Sequence, residues 1–229
     1  MNRLSLEKAT QILKSGGIVI FPTDTVYGIG CRFDDQKAVK RLYKIKGTPR
    51  NQPFPVLVSK TSQVKKLAII TQVGKKLIDK YWPGALTIIL PSRHPEPFTC
   101  VILNVVKNLY LVQGKLREGS PDSSATPQND TSKVGFRMPD SDLITSLIKK
   151  VGVPIMGTSA NFHGKSVAKS FGDLDPKLIR LVDYVIKGKC QGGVESTVVD
   201  ATFDPPKILR KGAVKLMSLN PVIPAKAGI

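Results

Sequence analysis

Cysteine and histidine are scarce in this chain: three cysteines (Cys31, Cys100 and Cys190) and two histidines (His94 and His163) among 229 residues. The cysteines are far apart, odd in number and form no CxxC pair. That argues against a structural zinc site and a disulfide framework, and predicts a reduced, cytoplasmic setting. Neither histidine stands in a Ser- or Cys-based nucleophilic pattern, so both read as loop or turn residues. No GxxxxGK[ST] segment occurs, which disfavours an ordinary P-loop nucleotidase, and GxGxxG is missing too. Acidic residues are also few, 17 against 35 Lys and Arg, for a formal net charge of +18. A surplus of that size, spread along the chain, predicts attraction to polyanions such as nucleic acid or nucleotides. A solvated basic surface with no specific partner is the plainer reading. Long apolar runs are lacking as well. Residues 100–112 are interrupted by Asn104, Lys107 and Asn108 and are too short to span a bilayer. The first residues do not open a signal peptide, so no membrane association is expected.

What is present is an apolar content of 41%, enough for a packed core. Apolar spacing predicts helices over residues 4–13, 35–45, 64–68, 73–81 and 142–151. Short β-branched runs predict strands at 18–21, 56–58, 85–90, 153–156, 184–186, 196–199 and 207–209. A Thr/Asp/Gly-rich turn is expected from Pro22 through Gly30. Trp82, before Pro83 and Gly84, reads as a core anchor rather than a base-stacking platform. Strands alternating with helices imply an α/β domain with a mixed, largely covered sheet. Residues 98–132 have loop or disorder composition and read as an insertion in a single domain over 1–215. Residues 216–229 read as a flexible tail.

Ligands of open α/β sheets bind where loops gather at strand ends, and four such loops are rich in hydroxyls or cations. Thr23, Asp24 and Thr25, with Tyr27 and Gly28, offer hydroxyls for a small polar substrate and close backbone approach. Residues 44–50 hold Lys44, Lys46 and Arg50, which suit a phosphate chain or form an ordinary basic loop. Ser159 and Asn161 bind an anion or cap the next helix. Ser196 sits near Glu195, and Arg210 pairs either with an anionic ligand or with a surface carboxylate. Arg137, at a strand end, is an anion clamp or half of a structural ion pair.

Taken together, these segments resemble the YrdC-domain family of threonylcarbamoyl-AMP synthases. Phe21–Gly30 resembles its opening motif, and Lys46-Gly47-x-Pro49 followed by Pro53-x-Pro55-Val56-Leu57-Val58 its KxR loop. Residues 82–87, 137–139, 158–161, 195–200 and 208–212 follow in the family's order, covering most of the chain from about Leu6 to Val214 apart from the insertion. The family's second KxR cation is Thr48 here, with Arg50 two residues on. The resemblance implies an open, twisted mixed sheet with flanking helices and a basic cavity. It implies formation of threonylcarbamoyl-AMP and pyrophosphate from L-threonine, bicarbonate and ATP, with Mg²⁺ carried mostly on the phosphates, for the threonylcarbamoyladenosine modification of tRNA. By the same resemblance Thr25, Arg137 and Ser196 would hold threonine. Lys46, Thr48, Arg50, Ser159, Asn161 and Arg210 would hold ATP, with Lys46 and Arg50 catalytic. Implied partners are tRNA or double-stranded RNA and the proteins of the threonylcarbamoyl-transfer machinery. Two alternatives stand beside this: a non-catalytic RNA-binding protein using the same basic cavity, and a carbamoyl-transfer module like that of hydrogenase maturation proteins. The acylphosphatase-like and zinc-finger parts that usually accompany the latter are absent.

Overall fold

The computed structural model describes residues 3–49, 52–93 and 133–216. The proposed insertion, the tail beyond 216, Arg50, His94 and Cys100 lie outside the described residues. Helix α1 (Arg3–Lys14) leads into β1 (Val19–Phe21) and β2 (Gly28–Arg32), then α2 (Gln36–Lys46), β3 (Val56–Leu57), α3 (Thr61–Leu67), α4 (Gln72–Tyr81) and β4 (Leu86–Pro91). After residue 132 come β5 (Lys133–Arg137), α5 (Asp142–Val151), β6 (Ile155–Ser159), a 3₁₀ turn (Phe171–Asp173), α6 (Pro176–Leu181), β7 (Tyr184–Val185), β8 (Thr197–Asp200) and β9 (Lys207–Arg210).

Local chemistry sets the helix ends. The Asp35 carboxylate accepts from the amides of Lys37 and Ala38 at the start of α2, a cap contributing about 1 kcal/mol. Gly47 closes that helix at φ +63°, and its amide donates to the Lys44 carbonyl. Asp175 caps α6, whose first turn carries Pro176. Trp82 is the expected anchor: its indole N–H donates to the Leu86 carbonyl at 2.8 Å and its ring packs on the core beside α4.

The nine described strands form one mixed sheet in the order β7-β1-β2-β6-β3-β5-β4-β8-β9. Pairing is antiparallel for β1–β2, β2–β6, β6–β3, β5–β4 and β8–β9, and parallel for β7–β1, β3–β5 and β4–β8. Register and alternation give the sheet two unlike faces. One carries Ile20, Ile29, Met156, Val56, Phe136, Ile88 and Val199, and is covered by α2 at one side and by α3 and α4 at the other. On the opposite face Val19, Phe21, Leu57 and Ile155 pack under α1 and α5. No helix among the described residues covers the rest of that face.

Two segments depart from the sequence reading. The turn expected through Gly30 ends earlier, because β2 begins at Gly28 and pairs with both β1 and β6. Likewise β6 runs on to Ser159, through residues read as a loop. Two glycines in β2, and a glycine and a serine in β6, carry little β propensity. Sheet pairing on both sides overrides it.

Candidate functional site

The open part of the second face floors a cavity of about 720 Å³. Alternation aims Gly28, Gly157, Ser159, Gly135, Arg137, Thr87 and Val198 into it. A Cβ at Gly157 would stand 2.8 Å from Leu57 Cδ1, and one at Gly28 would stand 2.7 Å from Phe21 Cε2. Glycine at these two positions leaves room for the Leu57 and Phe21 side chains, which also line the cavity.

At one end sits Arg137, the last residue of β5, nearly buried at 7% exposure. Its Nε–H donates to the Gly84 carbonyl at 3.1 Å, Nη1 to Thr25 Oγ1 at 2.9 Å and Nη2 to Asp24 Oδ1 at 2.7 Å. A guanidinium has five N–H groups, so one on each terminal nitrogen stays free. Both earlier readings of Arg137 meet here: it has a structural ion pair, and it also faces the cavity with two spare donors. Burial pulls its pKa below the ordinary arginine value, and the Asp24 charge works against that.

Thr25 belongs to a directed chain of hydroxyls. Thr23 Oγ1 donates to the Val26 carbonyl at 2.7 Å and lies 2.9 Å from Thr25 Oγ1. Since the Thr23 proton is committed, the Thr25 hydroxyl donates to Thr23 while accepting from Arg137. Toward the cavity Thr25 therefore presents an acceptor only, fit for an amine or hydroxyl and unfit for a carboxylate.

At the other end Lys46, in the last turn of α2, is 3% exposed. Its ammonium donates to the Ser159 carbonyl at 2.7 Å, to Asn161 Oδ1 at 2.7 Å and to the Asn161 carbonyl. The amide of His163 donates back to the Lys46 carbonyl at 2.8 Å. Ser159 Oγ donates to Asn161 Oδ1 at 2.8 Å, tying the loop after β6 to the end of α2. None of the acceptors around Lys46 is a carboxylate. Burial pulls its pKa down to about 8, offset in part by the charge of Glu195.

A third group lies on the side of β8 and β9. Ser196 Oγ is 2.9 Å from Thr87 Oγ1. Arg210 donates to the Ser196 carbonyl from Nε and Nη2, at 3.1 and 2.9 Å, and to Glu195 Oε1 at 2.9 Å. Gly212 is required beneath this group, since a Cβ there would stand 2.3 Å from the Glu195 carbonyl oxygen.

The structure thus brings Thr25, Lys46, Thr48, Arg137, Ser159, Asn161, Ser196 and Arg210 to one cavity. Arg50 falls outside the described residues. Sequence reasoning passed over Thr87, His163 and Lys133, which also line the cavity. Thr87 carried a signal: it is a lone hydroxyl in the apolar strand 85–90, on the side opposite Leu86, Ile88 and Leu90. His163 read as a turn residue, and nothing in its local sequence points inward.

Against known proteins, the Sua5/YciO/YrdC family model, described as "Telomere recombination", matches residues 11–212. The threonylcarbamoyl-AMP synthase of Bacillus subtilis is 34% identical over 97% of this chain and 57% of its own length. A putative threonylcarbamoyl-AMP synthase of Methanocaldococcus jannaschii is 32% identical over 96% of this chain and 93% of its own. The structure of Pyrococcus abyssi Sua5 complexed with L-threonine superposes with a TM-score of 0.73 at 29% identity, over 93% of this chain and 55% of that one. The chain spans little more than half the length of the Bacillus and Pyrococcus proteins. With the family model matched over most of its length and the fold shared with a solved member, the chain belongs to the Sua5/YciO/YrdC family.

Proposed function

We propose that this protein is a nucleotidyltransferase that forms threonylcarbamoyl-AMP from L-threonine, bicarbonate and ATP, releasing pyrophosphate. The observation that carries the proposal is the pairing of two unlike anion sites in one cavity. Arg137 offers two spare N–H groups beside an acceptor-only Thr25, which suits the carboxylate of an α-amino acid with its amine or hydroxyl close by. Lys46 offers a buried charge that no carboxylate neutralises, which suits polyphosphate. The threonylcarbamoyl-AMP synthase of Bacillus subtilis, the putative one of Methanocaldococcus jannaschii and the L-threonine complexed with Pyrococcus abyssi Sua5 support the same reading.

In this reading Arg137 grips the threonine carboxylate and Thr25 accepts from its amine or hydroxyl. The amine adds to bicarbonate, water leaves, and a carbamate results. A carbamate oxygen then attacks the α-phosphorus of ATP, and pyrophosphate departs. The protein's part is to align these groups and stabilise charge growing on phosphate oxygens. Lys46, Arg50 and Arg210 supply positive charge, while Thr48, Ser159 and Asn161 line the nucleotide end. Ser196, hydrogen-bonded to Thr87, closes on threonine. Mg²⁺ would enter on the phosphates of ATP. The adenylate would then pass to tRNA through the threonylcarbamoyl-transfer proteins.

The test is pyrophosphate release from ATP with and without L-threonine and bicarbonate. Release that requires both is expected, and release indifferent to either would sink the proposal.

A further inference from the structure

Asp24 is the acidic residue bound to Arg137, one of the cavity's buried cations, yet it does not line the cavity. Its side chain is 7% exposed and lies behind Arg137, which does line the cavity. We propose that Asp24 is a positioning residue for recognition of the amino-acid carboxylate: from outside the cavity it holds one Nη2–H of Arg137, so that the two uncommitted N–H groups present a fork to the ligand. The inference rests on the threonine reading above.

The fork is fixed from three directions. Gly84 holds Nε from the turn before β4, Thr25 holds Nη1 and Asp24 holds Nη2. Asp24 and Thr25 are held in turn by the segment before β8. The Gly193 amide donates to the Thr25 carbonyl at 2.7 Å. Gly192 lies so close that a Cβ there would stand 2.9 Å from the Asp24 carbonyl oxygen. Tyr27 braces the same segment, its hydroxyl donating to the Gly188 carbonyl at 2.8 Å and accepting from the Gly188 amide at 2.9 Å. Remove the Asp24 carboxylate and the guanidinium keeps anchors at Nε and Nη1 alone, with Nη2 held by neither, so the fork is free to shift. A carboxylate needs both oxygens met at once, and a shifted fork meets one.

The charge of Asp24 acts in the opposite sense to its geometry, because it partly offsets the attraction of Arg137 for an incoming carboxylate. The two contributions separate in two variants. Asp24→Asn keeps an acceptor oxygen in place and removes the charge. Asp24→Ala removes both.

The experiment measures L-threonine affinity by calorimetry, together with threonine-dependent pyrophosphate release, in the full chain, with L-threonine amide as the probe that lacks the carboxylate. Expected for Asp24→Ala is a threonine affinity lower by about tenfold or more, with ATP affinity within about twofold and the preference for threonine over its amide collapsed. Asp24→Asn should retain threonine affinity to within about threefold. Gly192→Ala, which displaces the Asp24 backbone without touching its charge, should shift the same preference in the same direction by less. A folded Asp24→Ala protein with the wild-type preference, or with equal losses for threonine and ATP, overturns the proposal. If Asp24→Ala does not fold, Gly192→Ala decides by the same readouts. Loss of fold in both makes Asp24 a framework residue and overturns it too. A wild-type protein that binds threonine but releases no pyrophosphate refutes the synthase reading while the calorimetry still decides the role of Asp24. A wild-type protein that does not bind threonine overturns both.

Discussion

Arg137 and Lys46 are both buried cations on the wall of one cavity, and they are satisfied in opposite ways. Arg137 has a carboxylate partner and keeps two donors free. Lys46 has no carboxylate partner, and all three of its donors are taken by neutral oxygens. The first arrangement offers direction with little net charge, and the second offers net charge with no free hydrogen bond. The former suits a planar carboxylate, the latter a triphosphate.

Arg137→Ala should have the largest effect, because it deletes the directional end and strands Asp24. Breaking one side of a buried pair costs about 3–5 kcal/mol, so thermal unfolding should move markedly downward. Threonine use should fall by about a hundredfold while ATP affinity stays within a few-fold. Equal losses for both ligands, measured by initial rates over both concentrations, would erase the contrast between the two ends.

Lys46→Met should do the reverse. It leaves the Asn161 carbonyl without its donor, at about 1–3 kcal/mol if it stays dry, while the Ser159 carbonyl and Asn161 Oδ1 keep the Asn161 amide and the Ser159 hydroxyl. It also weakens ATP binding by about tenfold or more with threonine affinity kept. A threonine defect equal to the ATP defect would show that Lys46 serves the whole cavity.

The contrast also has a pH signature. With the Lys46 pKa at about 8, apparent ATP affinity should fall as pH rises through 8, while threonine binding at Arg137 should not, since guanidinium stays charged. The stability contribution runs the other way. A folded pKa below the unfolded value near 10.5 means that the unfolded chain binds more protons between about pH 8 and 10.5, so this group's contribution to stability rises with pH across that window. Chemical denaturation of wild type against Lys46→Met at pH 7.5 and 9.5 isolates it. A wild-type curve parallel to that of the variant would refute the assignment.

Arg210→Lys should be the mildest change. Its side chain is 44% exposed and bonded to Glu195 and Ser196, so a loss of about threefold or less in pyrophosphate release is expected. A larger loss would mean that its two bonds to the Ser196 carbonyl shape the cavity.

The elements easiest to find in the sequence were those whose local chemistry and tertiary role agree. Helix α5 falls on the expected residues 142–151, because Ile144, Leu147, Ile148 and Val151 are core residues at helical spacing. Strands β2 and β6 were harder. Their inward residues Gly28, Gly157 and Ser159 are bare or polar because they face the cavity, and that erases the alternation by which a strand is recognised. Short α6, with Leu178 its one fully buried residue, carries too little pattern to announce itself. For the site, residue type was enough to nominate Arg137 and Lys46, but their partners were not visible. The Asp24–Arg137 pair joins residues 113 apart in sequence, and the three acceptors of Lys46 lie on another strand's end. Such pairings follow from sheet order rather than from motif spacing.

The glycine floor has a thermodynamic consequence. Where Gly28, Gly135 and Gly157 line the cavity, no helix among the described residues packs on the sheet, so that part of the face is a layer left out. In the proposed function the substrates are that layer. A protein built this way completes its own interior only while it holds what it works on, so saturating it with both ligands should raise its melting temperature cooperatively, by more than the sum of the two taken alone.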